Sequence, residues 1–230
     1  ALAKALSLDP ANAQALFATA TLRLTRGAKR EAYAGFAAAG RNAPNDPFVP
    51  HYFAYVFRLC DMMEEAYAAS SRATEMDPSN PWPYWMRARL LAAMGRLREA
   101  EELIEVVQAR FPSMHQRAHN ADFYMPLFRG RPDELVGRVD SGELKPETGS
   151  MTFDLALALA KVGRRSDALA LIPQMERYAA ADMDMAADMA AVLGHLGDAD
   201  AAFRHLDRAV ALGMDTLTHY ENPIYFGPLF

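Results

Sequence analysis

The sequence predicts an all-α chain built as an array of antiparallel helix pairs, and three observations carry that prediction. The first is a period: Pro10, Pro44, Pro78, Pro112 and Pro146 are each 34 residues apart. The second is that three further series share it without insertion. They are Ala20, Ala54, Ala88, Asp122, Ala156 and Ala190; Ala32, Ala66, Ala100, Glu134, Ala168 and Ala202; and Gly27, Asp61, Gly95, Arg129, Gly163 and Gly197. The third is that apolar residues between these marks, as in 16–25 and 99–109, recur with helical spacing. A fixed period of this length is the signature of a repeat architecture.

Each series has a mechanical meaning. Proline cannot continue a helix and restrains the residue before it, so the proline series marks the end of each unit. Asp9-Pro10 and Asp77-Pro78 strengthen the turn reading. The glycines supply a short turn between the two helices of a unit. The alanines fall mid-helix, where a small side chain lets two helices approach closely.

In chain order, residues 1–12 read as the second helix of an incomplete preceding repeat, with Ala5 and Asp9-Pro10 in phase. On this reading the sequence is a fragment of a longer protein. Six repeats follow at 13–46, 47–80, 81–114, 115–148, 149–182 and 183–216, and the tail 217–230 leaves the pattern. Pro47, Pro50, Pro81 and Pro83 fall in first helical turns, which tolerate them. The repeat at 115–148 is degenerate. Asp122 and Glu134 occupy the two facing small-residue phases, and Arg138 stands where a large apolar residue is usual. Pro126 should kink or shorten its first helix, at a cost of about 3 kcal/mol if the helix continues. Pro132 then begins a late second helix with Asp133 and Glu134 in its first turn, where acids suit the helix dipole. A buried carboxylate pair is the sharper alternative for Asp122 and Glu134. Pro173 should interrupt the second helix of 149–182.

The unit resembles the tetratricopeptide repeat, whose second helix carries Ala-x3-Phe and ends at a proline. Ala32-Tyr-Ala-Gly-Phe36 with Ala39 and Pro44 matches that pattern, as do Ala66, Ala73 and Pro78, then Ala100, Ile104 and Pro112. The resemblance implies a right-handed superhelical solenoid whose first helices line a concave face. It also implies that this face holds a protein or peptide. Carried over by phase, the inward positions are Phe17 and Thr21; Phe48, His51, Tyr55 and Arg58; Trp82, Trp85 and Arg89; His119 and Phe123; Phe153 and Lys161. Aromatic residues and arginine are what interface hot spots favour. Packing between adjacent repeats is the alternative use for the same side chains. The family's basic clamp for a terminal carboxylate is not matched, because its phases hold Phe17, Thr21, His51, Tyr55, Trp85 and Arg89. An apolar or aromatic-anchored peptide fits better. The tail from Tyr220 to Phe230 resembles the closing segment after the last repeat in bacterial signalling proteins of this family. Ile224, Tyr225, Phe226 and Leu229 would either cover the end of the last helix pair or enter a groove. The second functional reading is accordingly a regulatory or oligomerisation segment acting in cis within such a protein, and a homodimer stays open.

Composition agrees with a folded domain: 51% of residues are hydrophobic and 23% charged. Lys4, Lys29, Lys145 and Lys161 are the lysines among 24 Lys+Arg, an arginine bias that suits a GC-rich bacterial genome. The net charge of −5 and broken arginine runs argue against nucleic acid as partner. The single cysteine, Cys60, excludes an internal disulfide and suits the cytoplasm. It is expected to be buried near a turn. No apolar stretch of about 18 residues predicts membrane insertion. No phosphate loop, G-x-S-x-G or H-E-x-x-H occurs, so neither an enzyme nor a cofactor is expected. His115, His119 and Asp122 share a helix face, which more simply reads as solvated than as a metal site. Met183, Met185 and Met189 read as core.

Overall fold

The computed structural model describes residues 2–24, 28–60, 62–112, 115–214 and Tyr225, and its described side chains exclude those of residues 29, 59 and 115–119. The described elements are all helical, and the chain divides into two compact units, Ala1–Phe111 and Pro112–Phe230.

The first unit holds α1 (Leu2–Leu8) and three antiparallel pairs: α2 (Ala13–Leu24) with α3 (Lys29–Asn42), α4 (Phe48–Leu59) with α5 (Met63–Met76), and α6 (Pro81–Ala93) with α7 (Leu97–Arg110). The second holds α8 (His115–Phe128) with α9 (Pro132–Asp140), α10 (Gly149–Lys161) with α11 (Arg165–Ala179), and α12 (Met183–His195) with α13 (Ala199–Ala211). The fold class is the one predicted: paired antiparallel helices, six pairs among the described residues.

The small-residue series do the work expected of them. Ala20, Ala54, Ala88, Ala156 and Ala190, and Ala32, Ala66, Ala100, Ala168 and Ala202, are all fully buried. Between α2 and α3 the approach is so close that a Cβ added to Gly35 would stand 2.9 Å from that of Ala20. Pairs close alike at their turns: Gly95, Gly163 and Gly197 take positive φ, and the next N–H, on Arg96, Arg164 and Asp198, donates to Leu91, Leu159 and Leu193.

A fifth 34-residue series went unread in the sequence. Asn12, Asp46, Asn80, Thr148 and Asp182 each accept a backbone N–H at the start of a first helix, from Ala15, Phe48, Trp82, Met151 and Met185. Asn12, Asn80, Thr148 and Asp182 stand at the N-cap, worth about 0.5–2 kcal/mol each, whereas Asp46 stands one place further out, before the N-cap Pro47.

The degenerate pair departs from expectation in an instructive way. Its left-handed turn residue is Gly130 (φ +70°), one position after Arg129, and Arg131 N–H donates to Pro126 O. First helix α8 therefore runs one residue longer, straight through Pro126. The slip turns α9 by one helical step. Leu135, fully buried, takes the place of the alanine series, and Glu134 moves to the edge beside Arg129 and Arg131 at 3.6 and 3.5 Å. Asp122 meets Arg138 of α9 at 3.0 Å. The carboxylate-pair alternative is thereby corrected: each acid faces arginine. The start at Pro132 with Asp133 and Glu134 in the first turn is observed. Helix α11 likewise continues through Pro173, which is exposed, so water can serve the carbonyl freed by the missing N–H.

Two smaller expectations meet different ends. Met183 and Met189 are core, whereas Cys60 is exposed at the end of α4.

Candidate functional site

The site is built on α4 and α6, which pack side by side in the first unit. Helix α4 begins where the Asp46 carboxylate receives the Phe48 N–H at 2.9 Å, and α6 where Asn80 receives the Trp82 N–H at 3.1 Å. These bonds fix the residues that open each helix. From there the spacing 48, 51, 55, 58 and 82, 85, 89 puts each set on one helical face.

Phe48 is 40% exposed and Trp82 41%, which is unusual for rings this large. Behind them His51, Tyr55, Arg58, Trp85 and Arg89 are half-buried. The face has a firm base. Tyr52 stacks on buried Phe17 at 4.7 Å between centroids, and Phe48 and His51 approach Tyr52 at 6.3 and 6.0 Å. The Arg58 guanidinium lies 5.5 Å from the centre of the Tyr55 ring. Burial holds the His51 imidazole below its ordinary range, so it is neutral at pH 7. Its Nδ1 and the Trp85 Nε1 are shielded and have no hydrogen-bond partner in the free chain. Two polar atoms on adjacent helices thus carry the cost of burial without a partner.

The remaining predicted site residues fall elsewhere. Phe17, Phe123 and Phe153 are core, exposed by 1%, 0% and 3%, so they are corrected from contact residues to structural ones. Inward phase in a sequence cannot separate a groove from a packed seam. Thr21 turns its hydroxyl back to the Phe17 carbonyl at 3.0 Å. Lys161 ends α10 half-buried, and burial lowers its pKa. The His119 side chain lies outside the described residues.

Sequence reasoning missed a second cluster on α5. Tyr67 is flanked by Arg87 and Arg96, whose guanidinium carbons lie 5.2 and 5.4 Å from its ring centre, and Arg87 donates to the Tyr67 hydroxyl at 3.2 Å. Its members lie 20 and 29 positions apart, a spacing no short motif would flag.

Among the described residues no group of three or more His, Cys, Asp or Glu could hold a metal, and no helix is long and apolar enough to cross a membrane.

Residues 62–121 match the tetratricopeptide repeat family model. A curated relative, the cellulose synthase operon protein C of Pseudomonas fluorescens (strain SBW25), is 23% identical over 158 residues. That alignment covers 64% of this chain and only 12% of the relative. Among solved structures, YrrB, described as a tetratricopeptide protein with an unusual peptide-binding site, is 14% identical with a TM-score of 0.42, over 96% of each chain. The matched segment, residues 62–121, thus resembles tetratricopeptide repeats, and the same 34-residue period runs through the helix pairs on either side of it.

Proposed function

We propose that the chain is a protein-interaction scaffold that holds an apolar or aromatic-anchored peptide segment on the α4–α6 face. The observation that carries this reading is the pair Phe48 and Trp82, exposed on neighbouring first helices above half-buried His51, Tyr55, Arg58, Trp85 and Arg89. Large rings fixed on a rigid base bind with little loss of rotamer freedom, and arginine supplies charge at the rim. No step of chemistry is required. The division into six repeats, the last of them ending at 216, belongs to the same reading. So does a cytoplasmic setting, which suits a chain with one cysteine. The net charge of −5 favours a protein over a nucleic-acid partner.

Both tryptophans of the chain stand on α6, so intrinsic fluorescence reports this face alone. Peptides selected from a random dodecamer library against the whole chain should shift that emission on titration. Replacing Trp85 with alanine should weaken them about tenfold or more. Selected peptides that bind Trp82→Ala and Trp85→Ala as tightly as the parent would place the site elsewhere. Light scattering of the unbound chain separates a monomeric scaffold from a homodimer.

A further inference from the structure

The seam between α5 and α6 departs from the apolar pattern of most other pairs. The 34-residue phase that holds Arg87 carries Thr19, Phe53, Ala121, Leu155 and Met189 elsewhere. The phase of Ser70 carries Phe36, Ile104, Ile172 and Leu206, with Arg138 in the degenerate pair. Here both positions are polar at once. Ser70, fully buried, donates to the Pro83 carbonyl at 2.7 Å, and buried Thr74 receives Arg87 Nη1 at 3.4 Å. Arg87 is thereby held against α5, beside the Tyr67 ring. It stands two positions from both Trp85 and Arg89, which puts it on the far side of α6 from them.

Charge is where Arg87 differs from its surroundings. Its guanidinium carries five N–H donors, and the residue is half-buried. One Nη1 hydrogen goes to Thr74 and one Nη2 hydrogen to the Tyr67 hydroxyl at 3.2 Å, while Nε is shielded without a partner. Among the described residues no carboxylate pairs with it. A charge withdrawn from water in this way is costly until it meets an opposite charge. Arg96, which also approaches the Tyr67 ring, is already neutralised. Glu99 takes its Nε and Nη2 at 2.8 and 2.6 Å, and Glu64 lies near enough to act on it. Beside Arg87 the Tyr67 oxygen accepts, so the phenol proton is free to donate. That proton and the second Nη2 hydrogen sit on atoms 3.2 Å apart, close enough for both to serve the two oxygens of one carboxylate.

We propose that Arg87 and Tyr67 form a carboxylate site on the α5–α6 seam, which takes an acidic side chain from a protein partner. One unpaired guanidinium balances one negative charge, and Glu64 and Glu99 close by repel a doubly charged group more strongly than a singly charged one. A carboxylate therefore fits better than a phosphate dianion. A free carboxylate gains a single ion pair here, whereas a side chain on a partner also gains the effective concentration set by that partner's other contacts. Because Arg87 faces away from Trp85 and Arg89, the site stands apart from the peptide reading of α4 and α6, and either can fail alone.

The test follows the Arg87 Nε–H signal of the whole isotope-labelled chain by NMR, identified by its loss in Arg87→Lys. The probes are sodium acetate and the tripeptide Ala-Glu-Ala blocked at both ends, with sodium chloride at matched ionic strength as the baseline. Both carboxylates should move the signal along a saturating curve, the tripeptide at least as tightly as acetate. The signal of Arg98, whose side chain is 87% exposed, should drift without saturation. Tyr67→Phe keeps the ring and removes the second donor, so it should weaken both probes several-fold. An Arg87 response no different from that of Arg98, or from that in chloride, would overturn the proposal, as would saturation that Tyr67→Phe leaves unchanged. Saturation by acetate alone would overturn the protein source and leave a site for small free carboxylates. Tighter saturation by inorganic phosphate would overturn the choice of carboxylate. Peptides selected for the α4–α6 face should bind Arg87→Lys as they bind the parent, so the two readings fail distinguishably.

Discussion

The two units build the same helix pair to opposite ends. In the first, α4 carries Phe48, His51, Tyr55 and Arg58 on its unflanked side, and the outermost ring is 40% exposed. In the second, α10 carries Phe153, Leu157 and Ala160 at three of those phases, and all three are buried. Identical backbone placement therefore does not fix use. Bulky rings with polar handles keep a face available, whereas smaller apolar side chains let it close.

The sharpest way to break this comparison is truncation at matched phases. Phe153→Ala should cost about 3–5 kcal/mol in urea denaturation, because it empties a packed site. Phe48→Ala should stay within about 0.5 kcal/mol of the parent. Equal losses would mean that the two faces are structurally alike. Binding should show the reverse order. Trp82→Ala is expected to weaken a selected peptide by about 2 kcal/mol, roughly 30-fold, with melting temperature unchanged. A fall in melting temperature that accounts for the lost affinity would reassign Trp82 to the core.

A smaller effect concerns the caps. Asn80→Ala removes the side chain that receives the Trp82 N–H and should cost about 1 kcal/mol. Since the same cap positions Trp82, the affinity of a selected peptide should fall too, an effect that Thr148→Ala at the equivalent place on α10 should not share.

The smallest expected effect is with pH, and it samples both units. Burial lowers the pKa of His51 in the first and is the leading cause lowering that of His205 in the second, where Glu176 opposes it at 3.0 Å and Arg208 and Arg204 add to it. For both groups the unfolded chain binds protons more readily than the folded one. Stability is thus full above the ordinary imidazole value of about 6.5 and declines as pH falls through it. Melting temperature should drop modestly between pH 7.5 and 5.5, and His51→Gln should flatten part of that slope. A rise on acidification would contradict both assignments.

Much of the fold was legible because a repeat prints its mechanics many times. Prolines, alanines and glycines recur wherever the backbone must stop, approach or turn, so one noisy position is outvoted by its copies. The degenerate pair shows where that logic fails. A strict 34-residue count assigned Glu134 to the helix seam, but the turn slipped from Arg129 to Gly130 and brought Leu135 there instead. Gly130 was present to be read, one place out of register. The cap series was equally visible and was hidden by its mixture of Asn, Asp and Thr, which share an acceptor oxygen and no letter. The site was less legible. Phase correctly grouped Phe48, His51, Tyr55, Trp82 and Trp85 on neighbouring helices, but Phe17 and Phe153 share those phases and are core. Exposure depends on what packs over a face, and phase alone does not carry that.

The contact between Gly35 and Ala20 has a consequence for engineering. Modular design treats repeats as cassettes that can be exchanged at will. Position 35 corresponds to Ala69 and Leu103 in the next two repeats. Copying either into the first would drive a side chain into the neighbouring helix, already 2.9 Å from a Cβ at that place. The seam between α2 and α3 is keyed to its own pair, so a consensus built by averaging the repeats would lose this close fit in the first unit.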